Sequence, residues 1–353
     1  MNGSRKRSIN PLNWVRDLPP LYFAMVMATG IASRGLQANH REHAAGVLLV
    51  LAVVAFAVLL AGTLLRLIRY RAAVLADEVN PSRSFAFFTF VAGANVIATR
   101  MAEDGHLAVA AAFLVVGTLS WVVLGYTLPS ILIIRHGMRP ALAGADGSWF
   151  LWVVGAQSIV VAITALPASR AGWLEPVAVS GWCVGVVLYL AVAILVLGRL
   201  FAFPVRPAQL TPSYWVFMGA TAITALAGAR ILHWTSSPLI AAVTPVVAGI
   251  SVLLWAFGTW LIPLLIALSA WHEEARLPLL YEPGLWSIVF PVGMYGVACR
   301  ELGSALGVRW MAELGSGVIW AGVALWLVVF VGMIVSLLRG LIAQESLTPR
   351  PRL

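Results

Sequence analysis

The sequence predicts an all-α polytopic membrane protein, with ten transmembrane helices folded as five helical hairpins set in a ring. Three observations predict it. Of 353 residues, 61% are hydrophobic and only 10% charged, whereas a soluble domain carries roughly a quarter charged residues. The apolar residues gather in ten runs, most near the ~20 residues that cross a bilayer as a helix. A glycine also recurs at a near-constant interval in every second run.

The runs span roughly 20–36, 44–69, 85–101, 107–135, 148–167, 175–201, 211–233, 240–270, 282–300 and 314–342. They make one membrane domain over 17–342, flanked by tails at 1–16 and 343–353, with no room for a soluble domain. Arg5-Lys6-Arg7 ahead of apolar Leu21–Ile31 has the charge order of a signal peptide. No small-residue cleavage site follows, so the first run is expected to stay as a span.

Odd-numbered runs are short and hold Gly, Thr, Ser, Asn or Gln, while even-numbered runs are longer and rich in Leu, Val and Ile. Odd helices are therefore expected inside and even helices against lipid. Each odd run opens on an aromatic residue and reaches a glycine: Phe23 to Gly30, Phe88 to Gly93, Trp152 to Gly155, Trp215 to Gly219, Trp286 to Gly293. These glycines are spaced by 63, 62, 64 and 74 residues. A fixed period marks a repeat architecture, here one hairpin per unit. Five hairpins of one orientation suggest the ring, with the glycines expected at helix bends lining its centre.

Arginine dominates the formal charge of +9, Lys6 being the only lysine. The arginines are scattered between apolar runs rather than clustered on one face, which excludes a nucleic-acid surface. Counted by loop, 16 Arg and Lys fall on the side of the N-terminus and 7 on the other. The positive-inside rule then places both termini in the cytoplasm of a cell-membrane protein.

No catalytic constellation is present. His272-Glu273-Glu274 opens like a zinc-binding H-E-x-x-H, but Arg276 stands where the second histidine belongs, so a polar cytoplasmic loop is expected there. His40 and His43 are near enough in sequence for a metal but lack further donors. Cys183 and Cys299 sit within apolar runs and read as small buried side chains. Enzyme activity, a cofactor and a metal are not expected.

No charged residue lies in the middle of any run. A solute crossing the ring would instead meet hydroxyls and amides, chiefly Thr29, Asn95, Gln157 and Thr221, with Ser33, Thr99, Ser158, Thr164, Thr224, Ser287 and Tyr295 beside them. A lumen of this kind suits a channel that binds weakly along its length. The other reading is that these groups bond back to their own turn or to a neighbouring helix.

Arg34, Arg100, Arg170, Arg230 and Arg300 mark or follow the outer ends of the odd helices. They either cap C-terminal carbonyls or concentrate anions at a pore mouth. Acids nearby, among them Glu103, Asp104 and Glu301, nearly cancel the charge. Capping is expected for most, with a mild anion bias at the mouth.

The ninth run carries the sharpest local feature, Trp286-Ser-Ile-Val-Phe290-Pro291-Val-Gly293. Pro291 deprives the Ser287 carbonyl of its helical donor, and with Gly293 two residues on a kink is expected. Ser287, Phe290, Gly293 and Met294 share a face by their spacing. On spacing alone, Phe290 is either a packing residue or a plug at the bend.

Pro19-Pro20-Leu-Tyr-Phe-Ala-Met-Val-Met-Ala-Thr-Gly30-Ile31, Phe87 through Asn95, and Trp286 through Gly293 together resemble the tellurite-resistance/dicarboxylate transporter family. That family includes fungal malate permeases and the slow anion channel of plant guard cells. The resemblance covers 17–342. It implies a quasi-five-fold central pore of odd helices, a homotrimer with one pore per subunit, and occlusion by the phenylalanine before the ninth-helix proline, here Phe290. Short tails depart from the plant channels, so control by tail phosphorylation is not expected. The function implied is passive transport of small inorganic or dicarboxylate anions across the lipid bilayer. The alternatives are a proton- or ion-coupled C4-dicarboxylate (malate) carrier and a tellurite or sulfite efflux protein. A membrane scaffold is disfavoured, because glycines and polar residues concentrate in one set of helices.

Overall fold

The computed structural model describes residues 13–135, 141–167, 172–234, 237–274 and 281–346. These residues are helical, with no strand among them. Ten main helices follow the ten runs. They are α1 (Phe23–Ala38), α2 (Glu42–Arg69), α3 (Phe88–Glu103), α4 (Leu107–Arg135), α5 (Leu151–Thr164), α6 (Glu175–Ala202), α7 (Val216–Leu232), α8 (Pro238–Glu274), α9 (Trp286–Ala305) and α10 (Arg309–Ser346).

Eight of them, three taken together with the 3-10 turn that precedes them, are long and apolar enough to cross a membrane. The other two are α1 and α9. Helix α1 has only 16 residues, and α9 carries Arg300, Glu301 and Pro291 within its 20. Both are sheathed by other helices, so neither needs the continuous apolar surface that lipid demands.

Burial separates the two populations. The spanning windows of α3, α5 and α7 are 83%, 94% and 89% buried, against 17–33% for α2, α4, α6, α8 and α10. The contacts between odd helices run in sequence order: α1 packs on α3, α3 on α5, α5 on α7, α7 on α9, and α9 returns to α1. Each even helix packs against the odd helix before it and touches the odd helix after it. Aromatic clusters fill the angles between layers, as where Phe56 of α2 meets Phe23 of α1 and Phe90 of α3 at 5.5 and 5.3 Å.

The connections repeat as well. After α1, α3 and α9 the chain turns on one left-handed residue, His40, Gly105 or Gly307. At each turn the next residue donates back to the helix, Arg41 to Leu36, His106 to Met101 and Val308 to Gly303. That is the six-to-one bond of a Schellman ending. Helix α10 begins five residues before the run drawn for it. A short surface helix, Arg71–Val79, lies between α2 and α3 where no span was drawn.

Two expectations are corrected. Cys299 is buried, with Trp255 Nε1 donating to its Sγ at 3.0 Å, but Cys183 is exposed on the surface of α6. His272 belongs to the last turn of α8 rather than to a loop, buried beside the Pro207 carbonyl at 2.8 Å. An apolar run marks a helix but not which of its sides meets lipid.

Candidate functional site

Each odd helix is entered through a 3-10 turn: Pro20–Tyr22, Ser84–Phe87, Gly147–Phe150, Pro212–Trp215 and Pro283–Leu285. Proline opens three of them, where its missing N–H costs no hydrogen bond and its fixed φ suits a helix start. In the third, the Asp146 carboxylate accepts from the Ser148 backbone N–H at 2.8 Å. The five turns enclose a cavity of about 330 Å3, lined from every repeat by residues including Pro20, Arg83, Asp146, Ser213 and Glu282.

Deeper along the odd helices lies a second cavity of about 20 Å3, room for about one water. Ile31 and Arg34 of α1, Asn95 and Thr99 of α3, Ser158 of α5, Leu226 of α7 and Met294 of α9 line it, so all five odd helices contribute. Phe290 lies on α9 between Gly284, which lines the first cavity, and Met294, which lines the second. Its side chain is 1% exposed. Helix α9 runs unbroken through Pro291, and the Ser287 Oγ is buried without a hydrogen-bond partner.

The repeat glycines lie at contacts between helices. A Cβ on Gly30 would strike Val96 of α3, one on Gly93 would lie 3.4 Å from Val26 of α1, and one on Gly155 2.9 Å from Trp121 of α4. On Gly219 it would lie 2.9 Å from Pro291 of α9, and on Gly293 3.1 Å from Ile31 of α1. Their missing side chains let neighbouring helices approach.

Of the four polar candidates, Asn95 lines the cavity shared by the five odd helices. It donates to Ser158 Oγ at 3.0 Å, while its Oδ1 has no partner. Thr29 accepts from Trp326 of α10 at 2.9 Å. Gln157 donates to the Trp182 carbonyl of α6 at 3.1 Å. Thr221 bonds back to Met218 and sits over Gly258 of α8. The hydroxyl of Thr29 and the amide of Gln157 thus serve even helices, and Thr221 serves its own turn.

Among the described residues, the candidate arginines bond side chains of neighbouring helices. Arg34 of α1 donates to Glu103 of α3 at 3.1 Å and to Glu301 of α9 at 2.8 Å. Arg230 of α7 pairs with Glu103 and stands 3.9 Å from Glu301. Arg100 reaches Asp104 at 3.2 Å, Gln37 and Ser33. Arg300 bonds Ser316 of α10 at 2.7 Å and Asn39 at 3.3 Å. Arg170 lies outside the described residues. Opposite charges meet in this belt.

Sequence reading missed the residues of the lead-in turns. Burial pushes the Asp146 carboxyl up to about 6, despite its bonds to Ser148 and the positive charge of Arg199. The signal was available as a proline, serine or glycine cluster before each odd helix: Pro19-Pro20, Pro81 to Ser84, Asp146 to Ser148, Thr211 to Ser213, Glu282 to Gly284.

Comparison with known proteins adds an independent view. A family model described as voltage-dependent anion channel matches residues 17–334. An uncharacterized membrane protein of Mycobacterium tuberculosis is 51% identical over 148 residues, covering 42% of this chain and 75% of its own length. An uncharacterized transporter of Methanocaldococcus jannaschii is 23% identical over 331 residues, which is 91% of this chain and 93% of that protein. A second from the same organism is 22% identical over 349 residues, 95% of this chain and 99% of its own.

Proposed function

We propose that this chain, which belongs to the voltage-dependent anion channel family, is a passive channel or uniporter for small anions, with a pathway along the odd helices and a gate at Phe290. The observation that carries this reading is the pair of cavities, each lined from all five repeats; buried Phe290 falls in sequence between Gly284, which lines one, and Met294, which lines the other, and this supports the gate. Rotation of that one ring out of the axis would join them.

The pathway suits weak binding. Its inner cavity combines hydroxyls, one amide and Arg34, whose charge is paired with Glu103 and Glu301, with apolar walls, so an anion is attracted enough to enter and not enough to stay. The charge census orients it, with the 330 Å3 cavity toward the cytoplasm and the belt of ion pairs outside. A multi-pass cell-membrane homotrimer with one pathway per subunit completes the reading.

Currents through the purified protein in a planar bilayer test it. We expect a reversal potential that follows the chloride, nitrate or malate gradient, and larger currents for Phe290→Ala. Silence from both proteins, together with pH-driven malate uptake into vesicles, would replace the channel by a coupled carrier. Tellurite in the same permeability series separates the efflux reading.

A further inference from the structure

Away from the axis, two more cavities meet at one buried arginine. Where α2 ends and the surface helix Arg71–Val79 begins, a polar cavity of about 750 Å3 is lined by Arg16, Arg66, Arg69, Arg71 and Arg83. Its carboxylates are Asp17 and Asp77. An apolar cavity of about 430 Å3 adjoins it, walled by Leu60, Leu64 and Leu67 of α2, Leu119 and Val123 of α4, and Phe90 of α3. Arg66 lines both.

The surface helix divides them by its two faces. Arg71, Ala72, Ala73, Ala76 and Asp77 line the polar side, while Val74 and Glu78 line the apolar side. Asp77 is already held by Arg66 at 2.7 Å and Arg83 at 3.1 Å. Arg16, Arg69 and Arg71 make no ion pair within 4.0 Å among the described residues. The polar cavity therefore keeps positive charge to spare. On the apolar side, burial pushes the Glu78 carboxyl above its usual range, against the opposing charge of Arg71.

The apolar cavity is open toward lipid, since Leu64, Leu119 and Val123 are each half exposed or more on the spanning helices. A ligand that fills both spaces needs a phosphate at one end and hydrocarbon chains at the other. We propose that these joined cavities hold one anionic glycerophospholipid of the cytoplasmic leaflet, its phosphate among Arg16, Arg69 and Arg71 and its acyl chains between α2 and α4. Basic clusters at the cytoplasmic end of spanning helices attract anionic lipid at roughly 1 kcal/mol per arginine.

Native mass spectrometry of the purified chain, titrated with phosphatidylglycerol or phosphatidylcholine, tests the assignment. Wild type should retain phosphatidylglycerol in preference, and Arg69→Gln with Arg71→Gln should cut that preference about fivefold per arginine. The charge-preserving pair Arg69→Lys with Arg71→Lys should keep it and shows that the site, not the fold, is being read. Leu64→Trp, which fills the apolar space, should release lipid of either headgroup. Equal retention of both lipids by wild type, or a preference untouched by the glutamine pair, overturns the site. Displacement of phosphatidylglycerol by inorganic phosphate assigns the arginines to free phosphate and overturns the lipid. A Leu64→Trp chain that changes its subunit count but keeps its lipid overturns the groove in favour of a second copy.

Discussion

Arg34 Nη2 stands 2.8 Å from Glu301 Oε1, a contact across 267 residues that joins the first odd helix to the last. The same arginine holds Glu103 of α3, so one side chain fixes three neighbours in the circuit. Glu301→Gln leaves the Arg34 guanidinium, 7% exposed, with half its counter-charge. Removing one partner of a buried pair costs several kcal/mol; the partial exposure of Glu301 reduces this to about 2 kcal/mol. A lowered melting temperature in detergent is expected, and an unchanged one means the belt does not hold the helices.

Much of this circuit could be read ahead of the structure. The span positions follow from apolar runs because lipid imposes a length and a polarity on any helix it touches. The glycine period follows because five odd helices must each approach two neighbours closely. What the sequence does not display is direction. An odd helix is enclosed on every side by protein, so Thr29, Gln157 and Thr221 carry no periodic mark distinguishing the axis from the outer layer. The partners of Arg34, Arg100 and Arg230 were equally hidden, because Glu103 and Glu301 arrive from other repeats. Asp146 went unread as one polar residue among many in a loop, although it lines the 330 Å3 cavity.

Gly219 and Pro291 set the approach of α7 to α9 one residue beyond Phe290. An alanine at Gly219 would bring its Cβ to 2.9 Å of Pro291 Cγ, too close without a shift of one helix. Overpacking of this kind costs about 1–3 kcal/mol. Gly219→Ala should lower the melting temperature and, by pushing Pro291, change the current through the wild-type Phe290 background. Gly46→Ala, where a Cβ meets nothing within 4 Å, serves as the neutral control.

Asn95 should matter for permeation where the other three polar candidates do not. In a Phe290→Ala background, Asn95→Asp places a carboxylate beside a space of about 20 Å3 and should reduce anion current by tenfold or more, since each ~1.4 kcal/mol of repulsion is a factor of ten. Thr29→Val should leave selectivity intact, because its hydroxyl serves Trp326 of the outer layer. Equal losses from both would place the axis elsewhere.

His40 holds a left-handed conformation, φ 58°, that Gly105 and Gly307 adopt at the equivalent turns. A side chain there costs roughly 1 kcal/mol relative to glycine. His40→Gly should raise the melting temperature slightly, with no change in current.

The pathway should respond to cytoplasmic pH through Asp146. Its carboxyl, pushed up to about 6 by burial, lines the 330 Å3 cavity with Arg83 and Glu282, and Arg199 and Tyr214 face it electrostatically. The folded state favours the neutral acid more than the unfolded chain does. Its contribution to stability is therefore full below about pH 4 and is lost as pH rises through 6. Asp146→Asn keeps an oxygen for Ser148 while removing the charge, so it should stabilise the protein at pH 7.5 by on the order of 2 kcal/mol, a gain that vanishes below pH 4. The same ionisation puts a negative charge where anions gather. Anion current should therefore rise as the cytoplasmic side is acidified from pH 7.5 to 5, and it should be larger and flat over that range in Asp146→Asn. Glu282→Gln should keep the slope. A slope that survives in Asp146→Asn would place the titrating group somewhere else on the pathway.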